Sequence, residues 1–234
     1  MMHPRGKLIL FLLLCLLGTN VAEAQQRRFN SELEKFCKEA VRDFKSIDPE
    51  RKQVLDDMAE QLSRKKLVLF TCKTNTRRTL MLQVWAQSAF YYYGLYNKTA
   101  FSMGDTVSQV YPAVAAVLTE SGFYCLQLEN KEAKSYSISI NKDFPINILT
   151  SKNELGNVDT AKTVVVNICY EEEVSNLSML QGHVDLPYPS PHRYDHSPEE
   201  MQQYRTLNRQ IATEMLYLAD RTEKVLIREL KGNR

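Results

Sequence analysis

Lys66–Gly94 reads KLVLFTCKTNTRRTLMLQVWAQSAFYYYG, and its three parts decide the fold. Leu67 to Phe70 is a short, unbroken apolar run ending at Thr71, the pattern of a strand buried on both faces in a parallel sheet. Cys72 to Thr79 is polar and compact. Leu80, Val84, Ala86, Phe90 and Tyr91 then recur at near-helical spacing and predict a buried helix. Strand, short loop and helix thus follow in order. Cysteine opens the loop and arginine stands six positions on, a C-x5-R spacing.

That spacing has a chemical logic. A loop wrapped into a helix N-terminus turns backbone N–H groups inward, and with the helix dipole they form an anion site. The same field favours the thiolate of a cysteine at the loop's start, the form that attacks. Arg78 can fork onto two oxygens of a bound oxyanion. Thr79 can donate a hydroxyl hydrogen bond to the thiolate, and Asn75 tolerates the left-handed backbone of a tight loop. Lys73 and Arg77 add charge at the mouth, where they could draw in anions or stay solvated. The inferred chemistry is attack by Cys72 on a phosphate ester or similar oxyanion.

Outward from this stretch, strands and helices alternate. On the C-terminal side, Thr99–Met103 predicts a strand, Asp105–Ser121 a helix, and Phe123–Leu128, Ser135–Ile140 and Ile146–Leu149 further strands. Lys162–Cys169, KTVVVNIC, predicts a central strand. A proline-rich loop, Gly182–Ser197, leads to Ser197-Pro198-Glu199-Glu200, the start signal of a last helix. Its apolar stripe runs through Met201, Tyr204, Leu207, Ile211, Met215 and Leu218. On the N-terminal side, Asn30–Phe44 predicts a helix with Ser31 and Glu34 at capping-box spacing. A second helix starts at Asp48-Pro49. Such alternation implies a parallel sheet wound by right-handed crossovers, with ligands beyond the carboxyl ends of its strands, where Cys72 lies.

Residues 1–24 predict a signal peptide: Arg5 and Lys7, an apolar core from Leu8 to Leu17, and the small-x-small site Ala22-Glu23-Ala24. The apolar core is too short to span a bilayer comfortably. The expected protein is therefore exported, periplasmic or secreted, with no stable membrane insertion after cleavage. Cys15 falls in the removed part, leaving Cys37, Cys72, Cys125 and Cys169; an oxidising compartment permits disulfides among them, with three complete pairings possible. The formal net charge of +2 gives no reason to expect a nucleic-acid partner. His3, His183, His192 and His196 form no metal-ligand cluster with the cysteines, so neither a metal nor a cofactor is expected.

VLFTCKTNTRRTLMLQVWAQ resembles the low-molecular-weight protein tyrosine phosphatase superfamily, which includes the thioredoxin-type arsenate reductases. Their loops read close to C-T-x-N-S-x-R-S. GFYC near Gly122, the strand ending at Cys169, and YRTLNRQIATEMLYLA from Tyr204 are similar to later parts of the arsenate reductase-like branch. The resemblance implies a three-layer α/β sandwich with a central, mostly parallel sheet, phosphotyrosine phosphatase I-like. It would occupy residues 66–230, preceded by a helical extension over residues 25–65. It also implies that Cys72 is the nucleophile and Arg78 the oxyanion-binding arginine. Backbone groups from Lys73, Thr74, Asn75, Thr76, Arg77, Arg78 and Thr79 would bind the phosphate.

The chain departs from that family at three places. Ser190-Pro191 stands where the phosphatases carry the Asp-Pro of their general acid, and serine cannot serve at neutral pH. Asp185 is the nearest substitute and Asp195 the second. Cys169 matches the second thiol of the arsenate reductases, but Asn176 stands where the third is expected, so a three-thiol relay is broken. Thr74 replaces a glycine of the phosphatase loop. The leading expectation is an exported phosphatase hydrolysing phosphate monoesters through a cysteinyl-phosphate. The alternatives are an arsenate reductase-like oxidoreductase using Cys169 and a thiol reductant, and an inactive oxyanion-binding or interaction module.

Overall fold

The computed structural model describes residues 28–106, 109–128, 135–149, 158–170 and 183–232. The expected signal peptide and Asn176 lie outside the described residues. Helices α1 (Ser31–Arg42) and α2 (Pro49–Arg64) come first, followed by strand β1 (Leu67–Thr74), α3 (Arg78–Tyr92) and β2 (Thr99–Thr106). Then come α4 (Pro112–Glu120), β3 (Tyr124–Leu128), β4 (Ser135–Asn141) and β5 (Phe144–Leu149). Strands β6 (Thr163–Asn167) and β7 (Val184–Asp185) precede the long helix α5 (Glu200–Gly232).

Four strands form the central sheet in the order β2-β1-β6-β7. Every pairing in it is parallel. Successive side chains of a strand point to opposite faces. Val68 to Cys72 and Thr163 to Asn167 are nevertheless buried without interruption, so both faces of the sheet are covered. The α/β sandwich with a mostly parallel central sheet and two preceding helices is what the sequence implies. The chain leaves β1 for β2 on one side and later returns to β6 on the other. This places the topological switch point, where such sheets bind ligands, at the end of β1.

Several element boundaries differ from expectation, each for a local reason. The helix expected from Asp105 starts at Pro112, because β2 continues to pair with β1 as far as Thr74↔Thr106. Proline then supplies the first-turn geometry. Strands β3, β4 and β5 form a separate antiparallel sheet. Only Lys142 and Asp143 separate β4 from β5, a link too short for a parallel crossover. The cap of α1 is Asn30, whose Oδ1 accepts from the backbone of Glu32 and Leu33, rather than Ser31. The central strand ends at Asn167, two residues before Cys169. The Asn167 side chain there bonds both the N–H and the carbonyl of Cys169, at 3.2 and 3.1 Å, and takes it out of the ladder.

Helix α3 is buried on all sides: from Arg78 to Phe90 every residue except Gln83 is buried. Helix α5 packs against α1, α2, α3 and α4. Trp85 stacks on Phe36 of α1 and meets Phe123 edge-on. Its indole N–H donates to Asn208 of α5 at 2.7 Å, and Asn208 donates on to Ser121 at 2.8 Å. Leu33, Cys37, Leu55, Met58 and Leu62 of the two N-terminal helices belong to the same apolar core as β1 and α3. Lys98 is buried and donates from Nζ to the carbonyls of Leu62 and Lys65, satisfying the end of α2.

Gly122 has φ +101°, and a Cβ there would stand 2.4 Å from the backbone nitrogen of Leu33. Gly94 also has positive φ, +70°, but has nothing within 4 Å. Gly122→Ala should therefore lower unfolding stability by roughly 2–4 kcal/mol, and Gly94→Ala by about 1 kcal/mol. Equal losses in urea titration would show that α1 does not pack against the turn after α4 as described.

Candidate functional site

The candidate site lies at the carboxyl end of β1. Strand and ladder run through Cys72 and Thr74, with Cys72 paired to Gly104, so the polar connection is a turn of Asn75 to Arg77 rather than a loop from Cys72 to Thr79. Gly104 permits this close passage: a Cβ there would sit 2.5 Å from the Asn75 nitrogen. The left-handed backbone expected at Asn75 is absent; His196 is the only non-glycine with positive φ among the described residues. Asn75 acts through its side chain instead. It is fully buried, accepts the Thr79 hydroxyl at 2.7 Å, and its amide faces the Ser102 carbonyl at 3.4 Å. The Thr79 hydroxyl is therefore committed to Asn75, not to the sulfur of Cys72.

Cys72 and Cys169 form a disulfide across the ends of β1 and β6, with a Cα–Cα distance of 5.6 Å. Arg78, the first residue of α3, is 6% exposed. Its Nη2 faces the sulfurs of Cys72 and Cys169 at 3.5 and 3.3 Å, and its Nη1 donates to the Tyr188 carbonyl at 2.6 Å. A guanidinium against two sulfurs is the environment that favours a thiolate once the bond is reduced. In the oxidised state described here, Cys72 cannot attack. Cys37 is a free thiol whose burial pushes its pKa up to about 12, and Cys125 is free as well.

A cavity of about 360 Å³ opens beside Cys72, and Cys169 is not among its lining residues. Of the residues singled out in the sequence, Cys72, Thr74, Thr76, Arg77 and Arg78 line it. Lys73 is exposed and Asn75 and Thr79 are buried; none of the three is in the lining. Asp185 is not in the lining either: it sits on β7 with its side chain 63% exposed, accepts from Asn167 at 2.8 Å, and lies 3.5 Å from His183. Sequence reasoning did not single out Gln109, Tyr111, Ser190 and His192 as site residues, yet they complete the wall. The signal for His192 was its place directly after Ser190-Pro191, the dipeptide aligned with the phosphatase acid.

Arg77 is held by its own network. It pairs with Asp195 through Nη2, donates from Nε to the Tyr204 hydroxyl at 2.8 Å, and lies 4.2 Å over the Tyr111 ring. Asp195 also accepts from Tyr204 at 3.0 Å and faces His192 Nδ1 at 2.8 Å. Burial works against its charge, but the hydrogen bonds from His192, Arg77 and Tyr204 prevail and hold its carboxyl below the usual range. A carboxylate so held is a poor proton donor. Burial and a hydrogen bond to Glu200 push the Tyr111 hydroxyl up to about 12.

The N-terminal extension also reaches the site. Arg51 of α2 donates to the Pro187 carbonyl at 2.9 Å and to both carboxylate oxygens of Glu214, at 2.9 and 2.6 Å. Its guanidinium covers the Tyr188 ring at 4.6 Å, and the Tyr188 hydroxyl donates to Glu214 at 2.5 Å. The segment whose carbonyl anchors Arg78 is thus fastened from behind by α2 and α5. Among the described residues, no group of three or more His, Cys, Asp or Glu side chains could hold a metal ion. No described helix is long and apolar enough to cross a membrane.

No family model matches the chain, and no curated protein does. Among solved structures the chain is similar to a thioredoxin-dependent arsenate reductase of Corynebacterium glutamicum. The two are 16% identical over 95% of this chain and 98% of that one, with a TM-score of 0.36. The fold class rests on the strand order and burial given above.

Two outcomes follow from these networks. The folded Asp195 carboxyl titrates below its unfolded value near 3.9, so its stabilisation is present above about pH 4 and is lost as pH falls through the folded pKa. Asp195→Asn should be less stable than the parent at pH 7, the gap closing toward pH 2; a gap independent of pH would refute this account. Glu214→Ala, which strands Arg51 and the Tyr188 hydroxyl, should cost about 3–5 kcal/mol of unfolding stability. A loss no larger than that of an exposed glutamate would contradict it.

Proposed function

We propose that this chain is an arsenate reductase-like dithiol oxidoreductase acting on a tetrahedral oxyanion. The observation that carries this reading is the Cys72–Cys169 disulfide facing Arg78, with Cys72 and Arg78 both lining the cavity. In the reduced protein, Arg78 holds the oxyanion and favours the Cys72 thiolate. The thiolate attacks arsenic; an S–As bond forms and an As–O bond breaks, its electron pair leaving with the oxygen, which takes up a proton. Cys169 then attacks the Cys72 sulfur. The S–S bond forms, the S–As bond breaks, and its electron pair stays on arsenic, which departs as arsenite. Two thiols have lost two electrons and arsenic has gained two. A dithiol reductant must then restore both cysteines.

The disulfide bears on the missing third thiol. With Asn176 in that place, the relay is shortened to two cysteines and ends on the bond described above. The second reading is phosphomonoester hydrolysis through a cysteinyl-phosphate on reduced Cys72. It is supported by the same Arg78 and cavity, with the disulfide then masking the nucleophile. Export is part of this proposal, supported by the leader-like residues 1–24 and by the tolerance of an oxidising compartment for disulfides. The thiol reductant must then act in the same compartment.

Reduced protein with excess dithiol should convert arsenate to arsenite. Cys72→Ser should abolish that conversion, and Cys169→Ser should abolish it while leaving any aryl phosphate hydrolysis intact. Arsenite formation by Cys169→Ser at the parent's rate would sink the reductase reading. Aryl phosphate hydrolysis without arsenate reduction would establish the hydrolase instead, and binding without turnover an oxyanion-binding module.

A further inference from the structure

We propose that His192, oriented by Asp195, is the proton donor to the oxygen that leaves when Cys72 attacks a bound oxyanion. The inference rests on the reading of Cys72 as nucleophile. It applies equally to hydroxide leaving arsenic and to an alcohol leaving phosphorus, since the leaving oxygen needs a proton in both.

The positions of the other candidates lead to this residue. Asp185, the substitute nearest in sequence, is on β7 and outside the cavity lining. Asp195 is bound by Arg77, Tyr204 and His192, which leaves its carboxylate an acceptor. The Tyr111 hydroxyl donates to Glu200. Ser190 lines the cavity, but a serine hydroxyl is not an acid at neutral pH. His192 lines the same cavity as Cys72 and Arg78, on the turn Pro191–Tyr194, with its side chain exposed.

Its pairing with Asp195 suits the role. Nδ1 faces Asp195 Oδ2 at 2.8 Å, so Nε2 is the ring nitrogen left to exchange a proton with a ligand. A carboxylate on one nitrogen fixes the orientation of the ring. Asp195 is itself immobilised by Arg77, from the turn that carries the oxyanion arginine. Asp195, on its own turn, is the charged group against the ring; Arg77, Arg78 and Tyr111 line the same cavity, and Tyr204 and Arg77 hold Asp195 in turn. In the step, the Cys72 sulfur forms its bond to the central atom while the bond to the leaving oxygen breaks. That oxygen keeps the electron pair and takes the Nε2 proton, and water later reprotonates the neutral imidazole.

The test uses the reduced full chain with arsenate and with aryl phosphates of graded leaving-group pKa. His192→Asn should slow arsenate reduction by about 100-fold or more while arsenate affinity stays at the parent's value. On aryl phosphates its loss should grow with leaving-group pKa, and imidazole added to His192→Gly should restore rate. Parent activity undiminished in His192→Asn, or a loss of arsenate affinity with no change in maximal rate, overturns the proposal alone. A reduced parent that turns over neither arsenate nor any aryl phosphate overturns the nucleophile reading, and this proposal with it.

Discussion

A permanently charged guanidinium buried at the end of the central sheet is the constraint on which the rest depends. Arg78 cannot shed its charge, and a buried charge must be surrounded by acceptors. The carbonyl of Tyr188 and the sulfurs of Cys72 and Cys169 are three of those around it. They come from the ends of β1 and β6 and from the segment after β7, so one side chain determines how these three pieces of chain converge. Tyr188 is in turn fastened by Arg51 and Glu214 from helices outside the strand–turn–helix unit. Helix α2 of the N-terminal extension is therefore part of what holds the site in shape.

The same guanidinium links structure to chemistry. Next to a disulfide it is a charge facing weak acceptors. Next to two thiols it favours ionisation of whichever can meet it, and next to a bound oxyanion it is a fork for two oxygens. In the proposed dithiol cycle, the one guanidinium would meet a different partner at each stage. A second cation, Arg77, lines the same cavity and is paired with Asp195 and Tyr204. It serves to brace the turn that carries His192.

The elements that could be read in advance are those with strong local signals. The all-apolar run of β1 and the period of α3 and α5 predicted buried elements, and Asp48-Pro49 marked the start of α2. The separate antiparallel sheet was not foreseen. Its strands look like any others in isolation, and only the two-residue link between β4 and β5 forces them to pair with each other. The helix expected from Asp105 began late because a strand partner, β1, kept β2 extended. That is a tertiary override of local preference.

The sequence by itself determined that a cysteine and an arginine stand six residues apart between a buried strand and a buried helix, and so that they meet at one end of a sheet. It also places Ser190-Pro191 where the phosphatases it resembles carry their Asp-Pro acid. What only the tertiary structure decided is which cysteine meets Cys72 and which polar side chains line the cavity beside it. Cys169 is 97 residues from Cys72, and His192 lies on a turn well over a hundred residues beyond Arg77. Their approach depends on strand order, which short-range periodicity does not encode. Asn75 and Thr79 look like site residues in the sequence because they sit beside the cysteine. The parallel ladder continuing to Thr74 turns them inward, where they satisfy each other.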